Sequence, residues 1–306
     1  MSSFRSPEQQ AHWAAVKMQG HNAKSERQTP GEQSSVGTNR NYEQSLKQLA
    51  RYLHETRQGD LRSVEEKQVR EFLEKQKQEV GQKQLDQHRQ ASQAWLSHKS
   101  EQKIKIPRSE YKTQLDESKN LANQSRIYED QQVDRIQSRL TYKNELGVQI
   151  ARETGARAHE VGTIARPSEQ PPNDRGWRND RFEGKEGVTY TVHGKGGLVR
   201  EVKMSHETAD RLEQQRRDQP ITEKDRGINF TSRYNVGCGQ SLSQAFTRAS
   251  KSELGWSAGL HGLRHVYAQD RLDKMQEQGY TYTEAREVVS QEVGHFREQT
   301  MEEYEK

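Results

Sequence analysis

Tyr42, Leu46, Leu49 and Leu53 recur at intervals of four, three and four residues, which places all four side chains on one face of a helix. No other feature constrains the fold as much, because equivalent stripes return twice more. Val64, Val69, Phe72 and Leu73 mark a second amphipathic helix, and Leu85, Ala91, Ala94 and Trp95 a third. His54 to Gly59 and Gly81 interrupt the pattern between them. Three such stripes bury themselves best against one another, so residues 39–102 are expected to form a small helical domain with long basic side chains outside.

On either side of this domain the pattern lapses. Residues 1–38 hold few apolar side chains after Trp13 and Val16, and carry Pro30-Gly31; they read as a flexible basic arm with a short helix near residues 12–18. Residues 103–118, with Pro107 among Lys103, Lys105, Arg108 and Lys112, read as a linker. A second domain is expected over 119–306. Helical spacing runs from Ile127 to Val148 and again from Gly147 to Val161, and a loop-rich stretch follows from Pro167 to Gly187. Val188, Tyr190 and Val192 then alternate with polar residues, Gly194-Lys195-Gly196-Gly197 makes a turn, and Leu198 to Met204 returns as a hairpin. Helical patterns resume near 207–217, 242–253, 261–278 and 282–293, and around Tyr304. The fold class is therefore mainly α with a small antiparallel β-sheet.

Composition limits what such a chain can do. Only 29% of the 306 residues are hydrophobic and 31% are charged, enough for two small cores under a polar surface. No run approaches the roughly 18 apolar residues of a membrane span, and the N-terminus lacks the apolar core of a secretory signal. A soluble cytoplasmic protein is expected, with no membrane partner. Cys238 is the single cysteine, which excludes disulfide frameworks and cysteine-rich zinc sites. Of the 49 basic and 45 acidic residues, 20 and 14 lie in residues 1–112, leaving 29 and 31 in the remainder. The basic front half suits a nucleic-acid partner, although a solvated basic face explains it equally well.

Three short stretches carry the chemistry: Thr154, Gly155, Arg157 and Glu160 in the first; His261, Leu263, Arg264 and His265 in the second; Gly294, His295 and Tyr304 in the third. Each alone is weak, since arginine is usually a surface ion-pair partner and a lone histidine a bystander. Their types, spacing and order, with Lys195 on the hairpin between the first two, resemble the tyrosine recombinases, or phage-type integrases. The resemblance covers most of the chain. It implies a two-domain architecture: a helical, SAM-like core-binding domain over 39–102 and an α+β catalytic domain of the DNA breaking-rejoining fold over 119–306.

The resemblance also implies roles, and each suits the residue type. Arg157 and Arg264 would neutralise the non-bridging oxygens of a phosphodiester with rigid guanidinium forks, which leaves neither metal nor cofactor required. His261 and His295 would bond the same phosphate or move the nucleophile's proton. Tyr304 would attack and hold the strand as a 3′-phosphotyrosine, and Lys195 would protonate the departing 5′-oxygen. Glu160 and His265 would support from behind, Glu160 by orienting the arginine or His265. Arg89, Lys99 and Lys105 are candidate DNA phosphate contacts. The other histidines, His12, His21, His54, His88, His98, His159, His193 and His206, stand outside the motifs and read as surface residues.

The implied function is site-specific recombination or integration of a mobile element. The implied partners are a double-stranded recombination site, three further copies of the chain in a homo-tetramer on DNA, and accessory DNA-bending proteins at the nucleoid. Two departures from the family pattern stand out. Val293 precedes Gly-His where leucine is usual, and only Glu305 and Lys306 follow Tyr304, where many members continue into a docking helix. A type IB topoisomerase and an inactive DNA-binding relic are the rival readings.

Overall fold

The computed structural model describes residues 6–20, 30–33, 35–115, 127–296, 301, 302 and 304, without the side chain of Lys195. The chain divides into two compact units, residues 1–122 and 123–306. Each is set out separately.

In the first unit four helices enclose one core: α1 (Pro7–Met18), α2 (Val36–Glu55), α3 (Glu66–Gln76) and α4 (Gln82–Ser100). Leu46, Leu49 and Leu53 of α2, Phe72 of α3 and Trp95 of α4 are all buried there. The Trp95 indole also donates from Nε1 to the carbonyl of Leu61 at 2.7 Å, so its polar edge is satisfied inside the core.

Three expectations for this unit are corrected. Residues 7–18 are not a loose arm: α1 starts at a capping box between Ser6 and Gln9 and buries Ala11, Ala14 and Met18 in the same core. Small alanines form its inner face, so it leaves little trace in a pattern read from large apolar side chains. Residues 1–5, 21–29 and 34 of the expected arm lie outside the described residues. Nor do residues 103–115 behave as a linker, because Ile106 and Tyr111 are buried in this core as well. The Ile106 backbone is held at both ends, its N–H donating to Gln93 Oε1 and its carbonyl accepting from Arg89 Nη1, each at 2.8 Å. Residues 116–118 lie outside the described residues. His88, expected at the surface, is buried with its ring 5.6 Å from that of Phe72, and burial pushes its pKa down to about 4.

The second unit holds α5 (Asp130–Gln137), α6 (Tyr142–Thr154), α7 (Ala158–Gly162), β1 (Val188–His193), β2 (Val199–Met204), α8 (His206–Glu213), β3 (Arg216–Asp225), β4 (Ile228–Tyr234), α9 (Gly239–Leu254), α10 (His261–Glu277) and α11 (Tyr282–Glu292). β1 and β2 pair antiparallel from Val188 opposite Met204 to His193 opposite Val199, as the alternation requires. The single expected helix over 127–148 is two, restarted at Thr141.

β3 and β4 form a second antiparallel hairpin where the expectation was a helix over 207–217 and no element over 218–241. α8 stops at Glu213, and β3 reads RRDQPITEKD, too charged for an apolar alternation to show. Pro220 falls where the register shifts between Arg216 and Ile221, at the irregularity that tolerates its missing N–H. A core of Val133, Ile150, Val161, Val202, Leu242, Phe246 and their neighbours fills the unit. A smaller cluster joins α10, α11 and the chain's end through Tyr267, Leu272, Val288, Met301 and Tyr304. Among the described residues, no helix is long and apolar enough to cross a membrane.

Candidate active site

Gly155 ends α6 in the left-handed conformation, at φ +61°, and a Cβ there would lie 2.6 Å from the Tyr267 ring. Glycine is thus the residue that lets the chain turn and present Arg157 as the residue just before α7. Arg157 is fixed at both ends by one carboxylate: its backbone N–H donates to Glu160 Oε2 at 2.9 Å, and its Nη1 donates to Oε1 at 2.6 Å. Glu160 is almost wholly buried and takes a third bond, from Arg200 Nη2, at 2.8 Å. Burial opposes its charge, but Arg200, Arg264 and Arg157 outweigh that and hold its pKa at about 2.

Arg200 reaches Glu160 from β2, where Arg200, Val202 and Met204 all point inward. Its Nη1 donates to the carbonyl of Glu292 at 2.8 Å, tying β2 to the end of α11. Just past that helix, Gly294 has φ +77°, and a Cβ on it would sit 2.8 Å from Arg200 Cδ. The glycine of the Gly-His pair is therefore needed for close approach to a buried arginine. Glu292 is itself fully buried. It receives Arg271 Nη2 and Nε at 2.8 and 2.9 Å, the Tyr267 hydroxyl at 2.7 Å and the Phe182 N–H at 2.8 Å.

α10 supplies His261, Arg264 and His265 from its first turn, three and four residues apart and so on one face. Arg264 is 1% exposed. Its Nη1 donates to the Gly155 carbonyl at 2.5 Å, its Nη2 to the Val293 carbonyl, and its Nε to the Tyr304 hydroxyl at 2.8 Å. Burial, helped by Arg157, lowers its pKa to about 10, which leaves it protonated at neutral pH. The Tyr304 ring lies 4.8 Å from that of His265 and 6.2 Å from that of His261.

His295 completes the group. Its Nε2 stands 3.3 Å from the Tyr304 hydroxyl and 3.3 Å from Arg157 Nη2. Burial, with the charges of Arg264, Arg157 and Arg200, pushes its pKa down to about 4, so the ring is neutral at physiological pH. An arginine N–H can only donate. Nε2 is thus assigned as the lone-pair nitrogen, facing a guanidinium and a phenol that both point a hydrogen at it. The phenol accepts from Arg264 and donates toward His295 Nε2, which gives its proton a direct route to the imidazole.

Residues 30–103 match the family described as phage integrase, N-terminal SAM-like domain. The whole chain also superposes on solved recombinases. XerH site-specific recombinase bound to palindromic difH substrate is 14% identical, with a TM-score of 0.55 over 99% of this chain and 94% of that one. A lambda integrase dimer bound to a COC′ core site is 15% identical, with a TM-score of 0.58 over 97% and 76%. The chain has the tyrosine recombinase fold. The integrase of transposon Tn1549, in complex with a circular intermediate DNA, shares this recombinase fold at 11% identity and a TM-score of 0.51 over 98% and 95%. Comparison with curated proteins found no match.

Within this tyrosine recombinase fold, Arg157, Glu160, His261, Arg264, His265, His295 and Tyr304 are brought together. Glu160 binds two arginines, Arg157 and Arg200. Lys195 occupies the turn between β1 and β2, which opens at Gly194 with its Cβ position 3.0 Å from Glu160 Oε1. Of the candidate DNA contacts, Arg89 and Lys99 are committed to the first unit: Arg89 holds Ile106, and Lys99 Nζ donates to the carbonyls of Arg62 and Val64. Lys105 is exposed.

Sequence reasoning missed Arg200, Tyr267, Arg271 and Glu292. For Arg200 a signal existed, since the two-residue alternation that turns Val202 and Met204 inward turns Arg200 inward with them.

Proposed function

We propose that the protein is a site-specific DNA recombinase that cleaves and rejoins strands through a covalent bond to Tyr304. The observation that carries this reading is the Tyr304 hydroxyl held 2.8 Å from Arg264 Nε and 3.3 Å from a neutral His295 Nε2. Tyr304 Oη would attack the phosphorus while its proton passes to His295 Nε2. The bond to the 5′-oxygen breaks, Lys195 protonates that oxygen, and the strand remains as a 3′-phosphotyrosine. Reversal with a different 5′-hydroxyl would exchange strands without ATP.

Arg157 and Arg264 would neutralise charge growing on the phosphate, the task a metal ion performs elsewhere, so the reaction is proposed to be metal-independent. Arg157 is 30% exposed and can meet a phosphate without leaving Glu160. Arg264 would meet it by exchanging its bond to the phenol. The DNA sites named for XerH and lambda integrase supply the substrate class. A homo-tetramer on a recombination site, with accessory DNA-bending proteins, acting in the cytoplasm on a mobile element, completes the proposal.

The test is a set of labelled, nicked duplexes incubated with the protein and with Tyr304→Phe in EDTA, followed by denaturing electrophoresis. An adduct from the first and none from the second is the expected result. No adduct on any DNA that the protein binds would reject strand cleavage and favour a DNA-binding relic.

A further inference from the structure

Residues 173–182 lie in the stretch that the sequence marks only as loop, yet they are pinned along α11. The Arg178 N–H donates to Gln291 Oε1 at 2.8 Å, Gln291 Nε2 donates to the Gly176 carbonyl at 3.3 Å, and Arg178 Nη1 donates to Glu287 Oε2 at 2.6 Å. Between these anchors Trp177 is fixed by its own Nε1 bond to the Asn173 carbonyl at 2.8 Å. Its ring sits 4.9 Å from that of Phe296, inclined at 46°. Arg181 covers the Trp177 ring at 4.3 Å, and Arg175 stands over the Phe296 ring at 5.4 Å.

Three properties separate this cluster from ordinary surface. Phe296 is 42% exposed and is the residue immediately after His295. An exposed phenylalanine beside a catalytic candidate gives up burial that the core could have used. One cation is uncommitted: Arg178 is paired with Asp180 and Glu287 and Arg181 with Glu201, whereas Arg175, next to Asp174, is exposed and makes no ion pair among the described residues. The rings are also held in place before any ligand arrives, so little ordering cost remains for whatever stacks on them. Flat aromatic surface with an adjacent guanidinium is the chemistry that takes up nucleobases, because every base offers a π-face and its phosphate an anion.

We propose that Trp177 and Phe296 form a stacking platform for an unpaired base of the DNA strand next to the phosphate held by the Tyr304 group, with Arg175 on that strand. This rests on the recombinase reading and adds to it. A cut strand must leave its own complement before it can pair with another, and a base parked on this platform lowers the cost of that unpairing. Stacking of this kind is indifferent to base identity.

The test uses the full chain and two labelled duplexes of one sequence, one fully paired and one with a two-base mismatch at the candidate cut, compared by fluorescence anisotropy. Phe296→Ala should weaken binding to the mismatched duplex by roughly fivefold to a hundredfold, the range set by one base–aromatic stack, and leave the paired duplex unchanged. Phe296→Trp should retain the preference. Equal losses on both duplexes, or none on the mismatched one, would overturn the platform. Adduct formation by the same preparations on nicked DNA reads Tyr304 separately. A mismatch preference that needs Phe296, in a protein that forms no adduct, would reject the recombinase reading while the platform stands.

Discussion

Arg264 Nε donates to the Tyr304 hydroxyl at 2.8 Å while the same guanidinium grips the carbonyls of Gly155 and Val293. One side chain thus ties together the candidate nucleophile, the end of α6 and the turn after α11. Lysine keeps the charge but has no planar fork to meet three acceptors at fixed angles. Arg264→Lys is expected to lower the single-turnover rate of Tyr304 adduct formation by about 10²- to 10³-fold, as loss of one preorganised donor does elsewhere. Its melting temperature should fall as well. An unchanged rate would remove Arg264 from the site.

Arg200 was overlooked as a functional candidate, yet it shares Glu160 with Arg157 inside the protein. Replacing it with methionine keeps the length and leaves a buried carboxylate short of one partner. Breaking such a pair costs about 3–5 kcal/mol, so Arg200→Met should melt roughly 10 °C lower by calorimetry. Rescue by lysine to within a few degrees would show that charge alone matters there.

The pH dependence should come from His295. Its pKa is lowered from 6.5 to about 4, so between these values the folded chain binds fewer protons than the unfolded chain. Stability therefore rises with pH across that window, with this contribution complete above 6.5 and lost below about 4. In the folded chain the proton-accepting nitrogen is lost only as pH approaches about 4, so the adduct rate should hold through the upper part of that window and fall near 4. Glu160, held at about 2, stays ionised throughout and cannot supply that limb. Rate measurements on His295→Gln check this, since its profile should lose the acid limb.

Gly155→Ala should act through backbone and packing together. The left-handed conformation costs an alanine about 1–2 kcal/mol, and its Cβ would enter the Tyr267 ring. Because the Gly155 carbonyl also positions Arg264, adduct formation should drop with stability. A variant as stable as the parent would mean the turn can relax.

In the first unit, Ala14→Glu places a charge in the core that α1 shares with α2. Chemical denaturation should show a loss of at least about 2 kcal/mol. An unaffected midpoint would return α1 to the status of a loose arm.

The parts legible in the sequence were those with local signatures. α2, α3 and α4 announce themselves by large apolar residues at helical spacing, and β1–β2 by alternation around a glycine turn. The site motifs carried Arg157, His261, Arg264, His295 and Tyr304 because their order is preserved along the chain. What was hidden depends on contacts distant in sequence. α1 packs with alanines, β3 is mostly charged, and Arg271 and Glu292 look like surface residues until a neighbour from another element covers them. Arg89 shows a role that the sequence did not suggest, since the candidate DNA contact also braces Ile106.

Arg157 is bound to Glu160 through both its main chain and its side chain, and to His295 at its far end. A free arginine carries about 2 kcal/mol of rotamer entropy, which a ligand must ordinarily quench. Here that disorder was removed when the chain folded. Calorimetric titration should accordingly find a smaller entropic penalty for closing the site around a phosphate than a mobile arginine would impose.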